Sequence, residues 1–300
     1  MLESFYSFCK SYLKYRHVET NKYCNVILTG VPRSGTTLTC HLLNKLSNTV
    51  ALHEPMKVDV FPRLGNGDAI CDTIDRFCKQ TRRSIIIRKT AITRHIDGVV
   101  PDNPCGDQFS NSGLRALLVS KGKISIKKEL TPDFVLVIKH PAAFTAILES
   151  LIKHFPCYAV IRNPLSVLAS WNSVEMAVAN GHSHIAERLD VQLAQALERI
   201  DEKIERQIYL LSWFYEKYHK VLPRESILRY EDIIFSEGKT LKVIVPQARE
   251  LDEVLENKNQ NKLYNKQLML LLGEKLLNMD GAFWQFYSKE SVEESMIGSA

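Results

Sequence analysis

The stretch from Val26 to Leu38 constrains the fold more than any other part of this sequence. It begins with the apolar run Val-Ile-Leu, which is typical of a buried strand. The next residues, Gly30–Gly35, read Gly-Val-Pro-Arg-Ser-Gly, and glycine at both ends permits a tight loop. Thr36 then opens an apolar pattern with helical spacing that extends to about Leu46. A strand, a glycine-bounded loop and a helix in this order present backbone N–H groups and a positive helix end to an anion.

The loop differs from the Walker A sequence G-x-x-x-x-G-K-[ST] in the position of its positive charge. Thr36 occupies the lysine position, and the charge lies inside the loop as Arg33. An arginine followed by two hydroxyls suits a more compact anion than the β- and γ-phosphates that a Walker A lysine reaches. The Pro-Arg-Ser-Gly-Thr-Thr loop between strand and helix resembles the 5′-phosphosulfate loop of sulfotransferases that use 3′-phosphoadenosine 5′-phosphosulfate (PAPS).

A second stretch, residues 160–171, resembles the motif with which this family binds the ribose 3′-phosphate. Arg162 follows an apolar strand pattern, and Ser170 lies two turns into the helix behind it. A planar guanidinium group and a hydroxyl donor suit a phosphate. The alternative is an arginine that only caps the end of a strand. The resemblance implies that PAPS contacts these residues: Arg33, Ser34, Gly35, Thr36, Thr37, Arg162 and Ser170.

The resemblance also implies which residues carry out sulfuryl transfer. Glu54 follows Arg33 by 21 residues, a separation similar to that of the catalytic glutamate in tyrosylprotein and carbohydrate sulfotransferases. Glu54 is therefore the expected base, with Arg33 on the sulfonate oxygens and Lys139 near the transferred group. Two alternatives stay open: Glu54 forms a structural salt bridge with Arg33, or His53 is the base. If a strand continued through both residues, His53 and Glu54 would point to opposite faces.

The resemblance implies a P-loop-containing, three-layer α/β fold with a central parallel sheet flanked by helices. We expect one domain with a core at about 22–240 and an acceptor-binding insertion at 57–132. Residues 249–300 are expected to form C-terminal helices and a nucleotide-covering loop that includes Lys258, Asn259 and Lys262. The patterns predict helices at 1–20, 70–80, 142–154 and 187–219, strands at 49–55, 84–88, 133–138, 157–161 and 226–228, an irregular loop at 97–112 and a frayed end at 291–300.

Composition restricts the class of ligand. The 300 residues are 45% hydrophobic and 24% charged, with a net charge of +5, which favours anionic ligands without indicating nucleic acid. No run of 18 apolar residues or apolar signal core is present, so we expect a cytoplasmic protein with no membrane partner. The seven cysteines include no C-x-x-C pair, and no metal is expected.

The acceptor of the sulfuryl group is open at this stage. A small molecule, a carbohydrate or a peptide with a hydroxyl or amine group is compatible with the sequence, and the basic residues Arg82, Arg83, Arg88 and Lys89 leave anionic acceptors open. The alternative functions are a P-loop kinase or NTPase and a non-catalytic nucleotide-binding protein of the same fold.

Overall fold

The first strand, β1 (Asn25–Gly30), lies at the centre of a five-stranded parallel sheet. The computed structural model describes residues 25–111 and 113–297. The other strands are β2 (Thr49–His53), β3 (Thr90–His95), β4 (Cys105–Phe109), β5 (Arg115–Leu117), β6 (Ser120–Ser125), β7 (Val135–Lys139), β8 (Cys157–Ile161) and β9 (Ile227–Arg229). The helices are α1 (Thr36–Leu43), α2 (Gly67–Arg88), α3 (Pro141–Ala146), α4 (Leu148–Leu151), α5 (Pro164–Trp171), α6 (His184–Leu189), α7 (Val191–Glu198), α8 (Lys203–Val221), α9 (Tyr230–Phe235), α10 (Lys266–Leu277) and α11 (Lys289–Ile297).

The sheet has the order β2-β7-β1-β8-β9, and every neighbouring pair is parallel. All five strands therefore end at the same edge. In an open α/β sheet this carboxyl edge is where ligands bind. Each predicted functional segment follows one of these strands, so the topology brings them to one edge.

Successive side chains of a strand point to opposite faces of the sheet, so the sheet has an apolar core on each face. Ile27 of β1 belongs to one apolar cluster, together with α2, α5 and α8, whereas Val26 and Leu28 belong to a second cluster that includes α1. All six residues of β1 are buried, because helices cover both faces. The three-layer α/β fold with a central parallel sheet is confirmed.

The chain between β2 and β7 carries two antiparallel strand pairs, one nested within the other. Strands β3 and β6 pair with each other, as do β4 and β5. Buried Arg115 of β5 donates from Nη2 to Ser173 Oγ at 2.9 Å, which fixes the β4–β5 pair beside the end of α5. The prediction of a wholly irregular loop at 97–112 was thus wrong for β4.

The prediction of one helix over 187–219 was wrong, because α6, α7 and α8 replace it. Asp190 leaves the helical conformation and accepts a hydrogen bond from the N–H of Leu193, so it ends α6 and caps α7. Glu202 caps α8 in the same way through Glu205 N–H. The apolar stripe continues across the breaks, which explains why its spacing concealed them.

Three further boundary predictions were wrong. The predicted strand at 84–88 is the end of α2, and its Ile85 is buried on the helical face rather than paired in a sheet. The predicted helix at 142–154 divides into α3 and α4 at Ile147, which is outside the helical conformation. Residues predicted as frayed from 291 onward belong to α11 as far as Ile297. The predicted helix at 1–20 lies outside the described residues.

None of the helices in the described part of the chain is long and apolar enough to cross a membrane.

We predict that Gly30→Ala destabilises the fold more than a glycine substitution at an open position. A Cβ atom at Gly30 would lie 2.4 Å from the Val160 carbonyl oxygen, and the φ of 150° already disfavours a side chain. Gly98→Ala is the control, because its φ of 82° is strained but no atom lies within 4 Å. Urea unfolding should show an additional loss of about 1–3 kcal/mol for Gly30→Ala. Equal losses in the two variants would contradict this account of the loop.

Candidate functional site

The loop between β1 and α1 is fixed by contacts with β8 and α5. Val31 N–H and the Ser34 hydroxyl both donate to the Val160 carbonyl, at 3.1 and 2.7 Å. The indole N–H of buried Trp171 donates to the Pro32 carbonyl at 2.8 Å. These contacts fix the shape of the loop without using the N–H groups of Gly35, Thr36 and Thr37. They also commit the Ser34 hydroxyl proton to Val160, so Ser34 is not placed to donate its side-chain proton to an anion.

The start of α1 offers unpaired backbone donors. Gly35, at φ 95°, is the N-cap residue, and no side chain caps this helix. Within residues 25–111 and 113–297, the N–H groups of Gly35, Thr36 and Thr37 form no hydrogen bond. These groups point along the positive end of the helix dipole, so they can bind an anion together.

Arg33 reaches from this loop to two other segments. Its Nε donates to Ser170 Oγ at 3.2 Å and its Nη2 to Asn103 Oδ1 at 3.0 Å. Arg33 itself adopts a left-handed conformation, with φ 71°, which turns the side chain away from the path of the strand. Burial lowers the pKa of Arg33, although a guanidinium remains protonated at neutral pH. Ser170, which the sequence associated with Arg162, thus contacts Arg33.

Arg162 binds the loop on one side and a C-terminal segment on the other. Its Nη1 donates to the Arg33 carbonyl at 3.1 Å, its Nε to Asn259 Oδ1 at 2.7 Å and its Nη2 to the Lys258 carbonyl. The guanidinium also stacks on the Tyr230 ring, with 4.5 Å to the ring centroid. Because these contacts use most of its five N–H groups, Arg162 is not an open phosphate clamp in this conformation. It is a link between the anion loop and the predicted nucleotide-covering segment.

Neither arginine pairs directly with a carboxylate. Arg162 is 4% exposed, and its hydrogen bonds are with carbonyl, amide and hydroxyl groups. Burial lowers the pKa of Arg162, but Tyr264, Tyr230 and the Glu231 carboxylate outweigh burial and raise it. Among the described residues, neither Arg33 nor Arg162 forms an ion pair with Asp or Glu. A desolvated cation without an anionic partner is unfavourable. At Arg33, whose pKa burial lowers, a bound anion would therefore remove an existing electrostatic cost.

Tyr264 lies between the two arginines and was not predicted from the sequence. Its hydroxyl is 3.4 Å from Arg162 Nη2, and Ser170 lies nearby. Burial raises the pKa of Tyr264, but the charges of Arg162 and Arg33 and the Ser170 contact outweigh burial and lower it. A phenol whose pKa is lowered in this way reports the positive potential of its surroundings.

A second cluster lies at the end of β2, around Glu54. Lys139 donates to Glu54 Oε1 at 3.1 Å and lies 3.4 Å from Thr37 Oγ1. Arg94 Nε contacts the other carboxylate oxygen at 3.1 Å, and His53 Nε2 lies 3.4 Å from Oε1. Lys139 therefore joins the Glu54 carboxylate to the start of α1. The structure brings the predicted catalytic residues Glu54 and Lys139 together, with Arg94 as a member that the sequence did not indicate.

The geometry bears on both alternatives for Glu54, namely a salt bridge with Arg33 and His53 as the base. Glu54 pairs with Lys139 and Arg94 instead of with Arg33, so the salt bridge expected for the structural alternative was the wrong one. His53 and Glu54 do not point to opposite faces, because β2 ends at His53 and Glu54 turns into a left-handed conformation, with φ 48°. The turn brings the imidazole and the carboxylate into contact.

The electrostatics assign different protonation states to the two candidate bases. Burial raises the pKa of Glu54, but Lys139 and His53 outweigh it, and the pKa lies well below its usual range. Burial and the Lys139 charge lower the pKa of His53 to about 4. At neutral pH the carboxylate is therefore ionised and the imidazole is neutral. A neutral His53 can donate from Nε2 to Glu54, which leaves its buried Nδ1 without a partner in the described chain.

Contacts that the sequence did not indicate come from segments without a recognisable motif. Asn103 lies in the Asp-Asn-Pro turn before β4, and Arg94 lies on β3. Glu231 accepts from Asn163 N–H at 2.9 Å and from Asn259 Nδ2 at 2.8 Å, so it joins α5 to the C-terminal segment as a structural residue. A polar residue beside a proline was the only local signal for Asn103.

The rings of His182 and His184 stack, with their centroids 6.2 Å apart. His182 contacts Glu187 at 3.3 Å, and His184 begins α6. In the part of the chain that the structure describes, no group of three or more His, Cys, Asp or Glu residues is arranged to hold a metal ion.

Comparison with known proteins gives weak matches. No protein-family model matches the sequence, and no curated protein matches it. Among solved structures, the sulfotransferase STF9 from Mycobacterium avium matches with a TM-score of 0.33 and 12% identity, over 91% of this chain and 80% of that chain. The sulfotransferase STF1 from Mycobacterium tuberculosis H37Rv matches with a TM-score of 0.33 and 14% identity, over 97% of this chain and 80% of that chain. These likenesses are too low to assign an activity, so the functional argument depends on the residues themselves.

We predict that mild acid destabilises the protein through two buried histidines. The pKa of His53 is about 4 and that of His140, which accepts Met56 N–H at 3.1 Å, is about 3, because burial disfavours both imidazolium forms. An unfolded histidine titrates near 6.5, so below that pH the unfolded chain binds more protons and stability falls. The loss is about 2 kcal/mol per histidine between pH 7 and pH 5.

Urea unfolding at both pH values measures this loss. His53→Asn should lessen the pH dependence, whereas His184→Gln, at an exposed histidine, should leave it unchanged. A pH dependence that His53→Asn does not alter would show that His53 is already protonated, or accessible, in the folded protein.

Proposed function

We propose that this protein is a sulfotransferase that moves a sulfuryl group from PAPS to a hydroxyl or amine acceptor. The observation that carries the proposal is the convergence of Arg33, Arg162 and Lys139 on the β1–α1 loop, where the two arginines have no carboxylate partner among the described residues. A co-substrate with a 5′-phosphosulfate and a 3′-phosphate supplies anions for such a cluster. In motif layout the chain is nearest to the tyrosylprotein and carbohydrate sulfotransferases.

The chain offers a distinct group for each part of the ligand. We assign the 5′-phosphate to the N–H groups of Gly35, Thr36 and Thr37, because these donors are unpaired in the described residues. We assign the sulfonate to Arg33 and Lys139. Arg162 and Ser170 carry the expected 3′-phosphate contacts, which requires the segment at 258–264 to release part of the Arg162 guanidinium.

The reaction needs a base and stabilisation of the leaving group. PAPS would supply the activated sulfuryl group, whose sulfur exchanges its bond to the 5′-phosphate oxygen for a bond to the acceptor. The Glu54 carboxylate takes the proton that the acceptor loses. Arg33, Lys139 and the α1 N–H groups stabilise the negative charge that develops on the leaving phosphate. The products are a sulfated acceptor and adenosine 3′,5′-bisphosphate (PAP).

Lys139 couples the anion site to the base. In this structure Lys139 contacts both Glu54 and Thr37. An anion bound at Thr37 would attract the ammonium group and weaken its hold on the carboxylate. The pKa of Glu54 would then rise from its lowered value, which makes Glu54 a stronger base only when the donor is present.

The kinase alternative is less compatible with these contacts. Thr36 stands where a Walker A lysine would be, and both oxygens of Glu54, the acid at the end of β2, already contact cations. A carboxylate held in this way is poorly arranged to bind magnesium and nucleotide phosphates together. For partners and location, the proposal keeps a small-molecule, carbohydrate or peptide acceptor and a cytoplasmic protein without nucleic acid or membrane partners.

We predict that Glu54→Gln abolishes transfer while preserving donor binding. Removing the base should lower the transfer of labelled sulfate from PAPS to phenol and sugar acceptors by roughly 10²–10⁴-fold. Calorimetry should show PAP affinity within about threefold of wild type, a difference below 1 kcal/mol. Glu225→Gln, at an exposed position, is the charge-matched control. Full transfer by Glu54→Gln would remove Glu54 from the mechanism.

A further inference from the structure

A groove begins directly after the Glu54 turn. Pro55 and Met56, the next two residues, form one end of it, and α2 forms a wall through Phe77. The groove has a volume of about 460 Å³, within the range of small-molecule sites. None of the residues of the β1–α1 loop lines it, so it is distinct from the proposed donor site.

The β3–β6 pair connects the groove with the Glu54 cluster. Arg94 and Ile92 are two residues apart on β3, so their side chains lie on the same face. Lys121 of β6 pairs with Arg94 in the strand register and lies on that face as well. Arg94 contacts Glu54, while Ile92 and Lys121 line the groove. One face of this strand pair therefore runs from the candidate base into the groove.

The groove combines an apolar surface with positive charge. Its apolar wall includes Val60 and Ile92, whose exposures of 39% and 51% are high for large hydrophobic residues. Three cations line it, namely Lys57, Arg76 and Lys121, and none of the described residues that line it is an acid. Exposed apolar side chains beside several cations favour a ligand whose apolar part covers the side chains and whose negative charge neutralises the cations.

The cations of the groove have capacity for an additional anion. Lys121 donates to the Met56 carbonyl at 2.6 Å, and Arg76 donates to Thr73 Oγ1 at 3.1 Å. Within the described ranges, Lys57, Arg76 and Lys121 form no ion pair with a carboxylate. The nearby Asp59 pairs with Arg188 at 3.6 Å instead. Burial, followed by the Arg94 charge, lowers the pKa of Lys121, although Glu54 and Asp59 act in the opposite direction.

We propose that the groove binds the sulfuryl acceptor, and that this acceptor is an amphipathic acid with an apolar body, a hydroxyl at the Glu54 end and an acidic group on Lys57 and Arg76. The assignment depends on the proposed function, since it concerns the acceptor of the same reaction. The hydroxyl oxygen bonds to sulfur, its proton passes to Glu54, and the acidic group remains unchanged. The acceptor would therefore leave with one more negative charge than it had on entry.

The test compares two phenols that differ only in charge. 3-(4-Hydroxyphenyl)propionate and its primary amide are titrated calorimetrically into protein saturated with PAP. In the wild type the carboxylate should bind at least tenfold more tightly than the amide. In the double variant Lys57→Gln/Arg76→Gln the two affinities should agree within threefold, while the affinity for PAP stays unchanged.

A matched control separates a local effect from a change of net charge. Arg88→Gln/Lys127→Gln removes the same two charges from exposed positions outside the groove, Arg88 also being on α2. This control should keep the preference for the carboxylate. PAP binding without any preference for the carboxylate, or binding of neither phenol, would overturn the acceptor assignment alone. Failure of PAP to bind the wild type would overturn the proposed function itself.

Discussion

The site depends on positive charge buried at the carboxyl edge of a parallel sheet. Arg33 and Arg162 are held by carbonyl, amide and hydroxyl groups, and neither forms an ion pair with a carboxylate within the described structure. Such an arrangement is unfavourable without an anion. The fold maintains this arrangement because hydrogen bonds with Val160 and Trp171 fix the β1–α1 loop. A ligand with two anionic groups would convert this cost into binding energy.

In the cluster around Glu54, by contrast, a buried cation is paired directly with a carboxylate. Lys139 is 3% exposed and directly paired with Glu54. Its position between Glu54 and Thr37 gives the protein a group whose partner can change when an anion arrives. Lys139 therefore links the Glu54 cluster to the anion site at the start of α1. On this account, donor binding and the strength of the base are linked through one ammonium group, and no large movement of the fold is required.

The elements around the loop were predictable because their signals are local. The run Val26-Ile-Leu28, the two glycines of the loop and the Arg162-Asn-Pro stretch place strands and helix starts without reference to the rest of the chain. The contact between Arg33 and Ser170 did not follow, since the resemblance paired Ser170 with Arg162 instead. The breaks at Asp190 and Glu202 did not follow, because capping by an acidic side chain competes with an uninterrupted apolar stripe.

Other residues of the site could not be predicted from the sequence, for a different physical reason. Asn103 and Arg94 reach it from insertions whose position is set by distant contacts, such as Arg115 with Ser173. Arg82, considered as part of a basic acceptor loop, instead donates to Asn25 Oδ1 at 2.7 Å in the interior. Charge in a sequence does not indicate whether a side chain faces a ligand or supports the fold. Arg82 and the exposed Arg76 lie on the same helix, and only Arg82 faces the interior, where it also donates to the Phe134 carbonyl at 2.7 Å.

The central claim is that the buried arginines bind the two anionic ends of a PAPS-type nucleotide. Calorimetric titration of PAP, beside ATP with magnesium, into wild type, Arg162→Gln and the surface control Arg224→Gln tests it most directly. PAP binding should weaken by roughly 2–4 kcal/mol in Arg162→Gln, the scale for losing a buried charge-assisted contact to the 3′-phosphate, and should be unchanged in Arg224→Gln. Tighter binding of ATP with magnesium, indifferent to Arg162, would contradict it and favour the kinase alternative.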